Sequence, residues 1–293
     1  MDIQSLRIFR AVAEYESITK AAKELNYAQS NITTRTQQLE NSLQTVLFHR
    51  HNKGITLTAK GELLITYTDK IFRLLEETKQ IMRDEEEPQG SLNIGSMETT
   101  AAVHLPRFLA RYHSAYPQVD LNLKTGPTGQ HIEDVLNYKL DGAFVSGPLS
   151  HPNLIVKKVF REELVLVGNL YLSRFLESEK VDNLTLLVLH KGCFYREKFK
   201  HWLHEEGVRP SKVMEFGSLD ALMGCIAAGL GVTLLPLSIV QKYSHLEEIT
   251  YYPIPEKFSL VDTLFIYRAD TTFSTPLIKF IKMFQEKQSS VTF

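Results

Sequence analysis

The stretch SITKAAKELNYAQSNITTRTQQLENSLQTVLFHR, residues 17–50, decides how the first part of the chain folds. Ser17 is a good helix N-cap, and Ile18, Ala21, Ala22 and Leu25 follow at helical spacing, which predicts a short helix with one buried stripe. Asn26-Tyr27 interrupts the pattern. Ile32, Leu39 and Leu43 resume it at whole multiples of a turn, predicting a further helix of about 16 residues. Upstream, Leu6, Phe9 and Ala13 mark another amphipathic helix, so the polar one is the third. Its outward positions hold Gln29, Ser30, Asn31, Thr33, Thr34, Arg35 and Gln38, short amides and hydroxyls in place of the Glu/Lys mixture of an ordinary solvated face. Such a face can hydrogen-bond base edges and phosphates, although the pattern alone leaves a merely solvated helix open.

Working outward, His49-Arg50-His51-Asn52-Lys53-Gly54-Ile55-Thr56-Leu57 reads as two short extended pieces around a basic, Gly-containing turn, the form of a β-wing. Arg50 and Lys53 suit phosphate better than base reading, and Thr19, early in the second helix, joins the DNA-facing set. Net charge is −1 overall. Yet residues 1–60 set Arg7, Arg10, Lys20, Lys23, Arg35, Arg50, Lys53 and Lys60 against Asp2, Glu14, Glu16, Glu24 and Glu40, so this part is locally basic. Thr58 can cap a helix running from about Glu62 to Asp84-Glu85-Glu86-Glu87, where Pro88 and Gly90 stop it. Leu64, Tyr67, Ile71, Leu74, Thr78 and Ile81 alternate spacings of three and four, an a/d seam that wants a second copy of itself. The alternative is a helix packed only on its own domain.

From Ser91 onward the pattern alternates between strand and helix. Strands are predicted at Leu92–Gly95, Val119–Lys124, Ala143–Ser146, Leu164–Gly168, Leu186–Leu189, Gly231–Leu235 and Leu260–Tyr267, and helices near 100–114, 129–138, 195–206, 218–228 and 275–287. This is an α/β architecture with a mostly parallel sheet, long enough for two lobes. The expected organisation is 1–58 as a helical domain with a DNA-facing helix and wing, 59–87 as a linker helix and 91–293 as a separate α/β domain. One lobe takes 91–161 with 267–293, the other 162–266.

Hydrophobic residues make up 43% and charged residues 23%, the balance of a globular protein, and no run of apolar residues is long enough to span a membrane. A cytoplasmic location is expected, with Cys193 and Cys225 as free thiols.

The quoted stretch together with GITLTAKG, residues 54–61, resembles the LysR-type family of transcriptional regulators. The Ala-Ala pair, the Gln-Ser start of the third helix, QLE and LFHR stand in the family's order and spacing. Downstream, SLNIGS (91–96), LP (105–106), YP (116–117), LDGAFVSGP (140–148) and AAGLGVTLLP (227–236) resemble its ligand-sensing domain, similar in turn to two-lobed periplasmic binding proteins. Two positions depart. Ala28 stands where many members cap the recognition helix with Ser or Thr, at a cost of ~1 kcal/mol, and Gln44 stands where Gly usually follows Leu. The resemblance implies a two-lobed α/β sensor behind an all-α winged helix-turn-helix and a long linker helix. It further implies promoter DNA and RNA polymerase as partners, and self-association into dimers and tetramers.

Ser96 and Thr99-Thr100 lie where a strand passes into a helix, and helix N-termini suit a carboxylate. Simple capping is the alternative. Gly126-Pro127-Thr128-Gly129 offers a second such turn, and the resemblance places both on an effector cleft. Ser146, and Phe194 from the opposing lobe, complete the expected set, with a small anionic metabolite as the ligand. His190, Cys193, His201 and His204 make a poor metal site because no carboxylate aligns with them. A redox pair of Cys193 and Cys225 has no charge near Cys225 to lower a thiol pKa. Gly229-Leu230-Gly231 precedes a strand where a dinucleotide fingerprint follows one, so it reads as a helix-ending turn. No catalytic grouping stands out, and no cofactor, metal or membrane partner is expected. The rival reading is a cytoplasmic solute-binding or enzymatic protein with a helical N-terminal extension.

Overall fold

The structure, a computed structural model, describes residues 1–51, 54–82, 87–170, 184–189, 194–270 and 274–289. Lys53, His190 and Cys193 lie outside the described residues. The chain divides into two compact units, Met1–Arg83 and Asp84–Phe293.

The first unit holds α1 (Ile3–Tyr15), α2 (Ile18–Glu24), α3 (Gln29–Leu43), the strands β1 (Phe48–His51) and β2 (Gly54–Leu57), and α4 (Ala59–Met82). The stripes expected from spacing meet in one core, where Phe9 and Val12 pack with Ala21, Ala22, Ile32, Leu39, Leu47 and Phe48. Asp2 caps α1 by accepting the Ser5 N–H at 2.8 Å, and Ser17 caps α2 through the Lys20 N–H at 3.3 Å. Glu40, the acid of QLE, accepts the Leu47 N–H at 2.8 Å and the Phe48 N–H at 3.3 Å, which fixes the turn from α3 into the antiparallel β1–β2 pair.

Thr58 holds the next corner. Its hydroxyl donates to the Val46 carbonyl at 2.8 Å and accepts the Gly61 N–H at 3.0 Å, so α4 begins at Ala59, earlier than expected. A Cβ on Gly61 would lie 2.3 Å from the Leu47 carbonyl oxygen, which explains the glycine in TAKG. Leu64 and Ile65 pack onto the core of this unit, while Arg10 pairs with Asp69 at 3.2 Å. Leu64 thus serves its own domain. Tyr67 and Leu74 remain 54% exposed in the single chain.

The second unit contains a mixed seven-stranded sheet, not a mostly parallel one. β3 (Gly90–Ser96) pairs in parallel with β4 (Val119–Thr125) and β5 (Gly142–Ser146). β6 (Leu154–Asn169) is the spine. Its first part, Leu154–Glu163, runs antiparallel to β11 (Leu260–Arg268), which also pairs with β5. Its second part pairs antiparallel with β9 (Thr233–Pro236) and β10 (Ile249–Pro253). β7 (Thr185–Leu189) and β8 (Lys212–Phe216) form a parallel pair, and Leu186 bridges to Val232 before β9.

β11 pairs with the first part of β6 from Leu260 onward. In the second half of β6, Leu164 and Leu166 enter one core while Val165 and Val167 enter another. Both faces are covered, and the strand therefore reads as a continuous apolar run.

The helices among the described residues of this unit are α5 (Glu98–Val103), α6 (Leu105–Ala115), α7 (Thr128–Leu136), α8 (Phe194–Glu205), α9 (Leu219–Ala227), α10 (Leu237–Lys242), α11 (Glu256–Ser259) and α12 (Thr275–Ser289). The single helix expected over 100–114 is two, with Pro106 in the first turn of α6. Gly229, at φ +80°, ends the turn after α9, and a Cβ on Gly231 would lie 2.2 Å from the Thr185 carbonyl oxygen.

Gln44 ends α3 at φ +50°, ψ +39°, the left-handed region that explains the glycine usual there. Gln44→Gly is expected to raise stability by about 1 kcal/mol, read from the midpoint of denaturant unfolding at unchanged slope. A lower midpoint would show that the Gln44 side chain contributes more than its backbone strain costs.

Candidate DNA-reading and effector sites

In the first unit α3 presents two faces. Ile32, Thr36 and Leu39 are buried, and the buried Thr36 hydroxyl donates to the Ile32 carbonyl at 2.8 Å, so that face needs nothing from outside. Gln29, Ser30, Asn31, Thr34 and Gln38 stand exposed on the other side. Thr33 is half-buried, and its hydroxyl hydrogen is taken by the Gln29 carbonyl at 3.0 Å. Arg35 keeps 43% of its side chain exposed and sits 3.8 Å from Asp2. Asp2 is itself held below the usual carboxylate range, first by the Ser5 N–H and then by the Ser5 hydroxyl, with Arg35 adding to it. That contact is long and solvated, so Arg35 can leave it at little cost. Thr19 on α2 and Arg50 on β1 are exposed as well.

In the second unit a cleft opens between the lobes, lined by Met97, Glu98, Thr99, Thr125, Gly126, Pro127, Thr128, Ser146, Leu189, Phe194, Tyr195 and Gly217. Of the expected residues, Thr99, Thr128, Ser146 and Phe194 meet there. Ser96 and Thr100 do not. Ser96 is fully buried and its hydroxyl donates to the Met97 carbonyl at 3.0 Å. Thr100 is 2% exposed and stands a helical step of about 100° from Thr99, so a wall that one of them lines is closed to the other.

The Thr99 hydroxyl oxygen is buried without a hydrogen-bond partner among the described residues. The Ser146 N–H donates to the Thr128 hydroxyl at 3.2 Å, tying the start of α7 to the end of β5. Pro127, the residue before α7, supplies no side-chain cap.

Beneath this floor lies His131, fully buried. Its Nε2 lies 2.9 Å from the Ser96 carbonyl, so Nε2 carries the hydrogen, and Nδ1 has no partner among the described residues. Farther along α7, Asp134 accepts from Lys124 at 2.9 Å and from Gln130 at 2.9 Å. Burial alone would raise the Asp134 pKa, and these two donors outweigh it.

Glu98 was not anticipated. It begins α5 and reaches across the cleft, where its Oε1 accepts the Leu219 N–H at 2.8 Å. Its position beside Thr99 was the available signal, but nothing in the local pattern distinguishes it from an ordinary acidic first turn. Leu189 and Tyr195 were missed because apolar residues at strand and helix positions read as core. Among the described residues no group of acidic, histidine or cysteine side chains is arranged to hold a metal ion. No described helix is long and apolar enough to cross a membrane.

Residues 3–62 match the model of the bacterial regulatory helix-turn-helix protein, lysR family, and residues 85–289 match that of the LysR substrate binding domain. The chain is 50% identical over 281 residues to the HTH-type transcriptional regulator GltR of Bacillus subtilis (strain 168), covering 96% of this chain and 95% of that one. It is 45% identical over 282 residues to the HTH-type transcriptional regulator SoxR of Arthrobacter sp. (strain TE1826), covering 96% of each. In fold it is similar to full-length CbnR, solved in complex with target DNA, at a TM-score of 0.70 and 23% identity over 98% of this chain and 99% of that one.

Burial holds the His131 pKa below its ordinary 6.5, so between 6.5 and that lowered value the unfolded chain binds the extra proton. Its contribution is complete above pH 6.5 and declines as the pH falls through this window, by at most about 1.4 kcal/mol per pH unit. His131→Gln, which keeps a donor for Ser96 but cannot titrate, is expected to flatten that decline in denaturant titrations between neutrality and about pH 5. An identical slope in both proteins would assign the acid sensitivity elsewhere.

Proposed function

The chain belongs to the LysR family of bacterial transcription regulators, and on that premise we propose how this member reads DNA, pairs with itself and meets its effector. It is a DNA-binding transcription regulator with an effector-binding domain. Residues 1–58 serve as the winged helix-turn-helix, 59–87 as the linker helix and 91–293 as the sensor. Its first lobe is 91–161 with 260–293, following the β11 pairing.

The observation that carries the DNA reading is the two-faced α3, whose buried side is complete within the domain while Gln29, Ser30, Asn31 and Thr34 stand free. Amides and hydroxyls of this kind suit base edges in a major groove, and Arg35 joins them once released from Asp2. Arg50, with Lys53, meets phosphate and positions the duplex without selecting sequence. The rival reading, a solute-binding protein with a helical extension, gives no reason for so polar an α3 face.

Self-association follows from Tyr67, Ile71, Leu74 and Thr78 on α4. They form a continuous seam of which Tyr67 and Leu74 lie half-exposed in the single chain. A second copy covers it, and two DNA-binding domains then address two half-sites. Pairs of such dimers make the tetramer, and RNA polymerase is the downstream partner at the promoter. The effector is a small molecule whose acid group meets the uncapped start of α7 and the Thr99, Thr128 and Ser146 hydroxyls. A regulator with these partners works in the cytoplasm and needs no enzymatic activity.

On an operator selected from random duplexes, the double substitution Gln29→Ala, Arg35→Ala is expected to weaken specific binding ten- to a hundredfold, about 1–3 kcal/mol, with little effect on random DNA. Arg50→Ala should weaken both alike and reduce the salt slope by about one. Unchanged operator affinity in the double variant would remove α3 as the reader. In sedimentation, Leu74→Glu is expected to give monomers, because the seam cannot bury an unpaired carboxylate. An unchanged oligomer would remove the seam.

A further inference from the structure

We propose that Glu98 makes the effector cleft a receptor for a molecule bearing an ammonium group beside its acid group: an α-amino acid with an apolar side chain, not a simple carboxylate. This rests on the reading of the interlobe cleft as the effector site. Among the described residues lining the cleft, Glu98 is the one charged side chain. A ligand bringing only negative charge meets a like charge at Glu98.

The placement of Glu98 is specific. One of its oxygens accepts the Leu219 N–H at 2.8 Å, across the cleft at the first residue of α9. Ser218 caps the same helix through the Ala221 N–H. That helix start is thus already answered by a carboxylate of the protein itself and is not offered to an anion from outside. The start of α7 is different, since Pro127 gives it no side-chain cap. The cleft thereby has two unlike ends. At one, backbone N–H groups and the Thr128 hydroxyl can receive an acid group. At the other, the second Glu98 oxygen has no hydrogen-bond partner among the described residues and can accept from an ammonium.

Thr99, beside Glu98 in the cleft lining, is 4% exposed, and its buried hydroxyl has no hydrogen-bond partner among the described residues. Met97, Leu189, Phe194 and Tyr195 supply apolar surface for a side chain. Because Glu98 spans the two lobes, an ammonium seated on it acts on a contact that exists only when they are together. Binding there favours that arrangement over an opened one.

The test uses the full-length protein with the twenty L-amino acids and their matched deaminated acids, such as L-leucine against 4-methylpentanoate and L-phenylalanine against 3-phenylpropionate. Thermal stabilisation finds ligands and calorimetry measures them. The expected result is that one or a few apolar amino acids bind at least about tenfold more tightly than their deaminated partners. Glu98→Gln should erase that preference. It keeps an acceptor for the Leu219 N–H and removes only the charge, so deaminated acids should bind the variant as well as or better than the wild type. Deaminated acids binding the wild type as tightly as the amino acids, a preference that survives in Glu98→Gln, or no binding by any amino acid would each overturn the proposal. An amino acid whose affinity is unmoved by both Glu98→Gln and Thr99→Val binds outside the cleft, and that result overturns the effector-site reading itself.

Discussion

The backbone of Leu154–Asn169 makes hydrogen bonds in both lobes of the second unit, and much else there follows from that constraint. A strand that pairs with β11 up to Glu163 and with β9 from Leu164 leaves no room for a flexible joint between the two ladders. Along β6 the two ladders are consecutive stretches of one extended strand, so this crossing is hydrogen-bonded backbone and not a loop. Glu162 sits at that point, 7% exposed, with His104 of the first lobe paired to one oxygen and the Ser238 hydroxyl of the second at 3.0 Å from the other. A buried carboxylate is tolerable only when its lone pairs are met, so the crossing strand holds a partner from each lobe.

How much of this was legible in the sequence depended on whether a segment's neighbours were local. The three N-terminal helices announced themselves because Phe9, Ala21, Ile32 and Leu39 recur at the period of a helix. Gln44 was visible as a departure before its positive φ supplied the reason. The first half of β6, Leu154–Glu163, escaped notice because residues such as Lys157, Lys158 and Arg161 break strict alternation. Its strand character is set by β11, about a hundred residues away in the chain. β8 was missed for a similar reason, as a largely exposed strand with only β7 beside it in its sheet.

The cleft between the lobes was half legible. Hydroxyls near a strand-to-helix turn could be identified, but which of them face a ligand is decided by rotation within one turn. Thr99 lines the cleft while Thr100 is buried behind it. Ser96 was drawn into the expected set by its position at a strand end, where its carbonyl instead anchors His131 at 2.9 Å and the Gly126 N–H at 3.1 Å. Its role is to hold the floor. Glu98 could not be read at all, because its significance depends on Leu219, far along the chain and in the other lobe.

The cross-lobe contacts bear on how binding is coupled to shape. Ala102 and Val103 of α5 pack against the second lobe's core around Leu222, Met223 and Ile239, and the Lys242 ammonium donates to the Ala102 carbonyl at 2.9 Å. α5 therefore belongs to the first lobe by sequence and to both by contact. The Thr99 hydroxyl is buried without a partner among the described residues, and an unsatisfied buried hydroxyl costs about 1–3 kcal/mol. A ligand that met this hydroxyl would recover the energy only in an arrangement that leaves it otherwise unpaired. That difference is what linkage requires: a molecule binding both arrangements equally well shifts neither, however tightly it is held. An unsatisfied hydroxyl beside a half-engaged carboxylate gives the cleft this asymmetry, and places it on the helix that both lobes share.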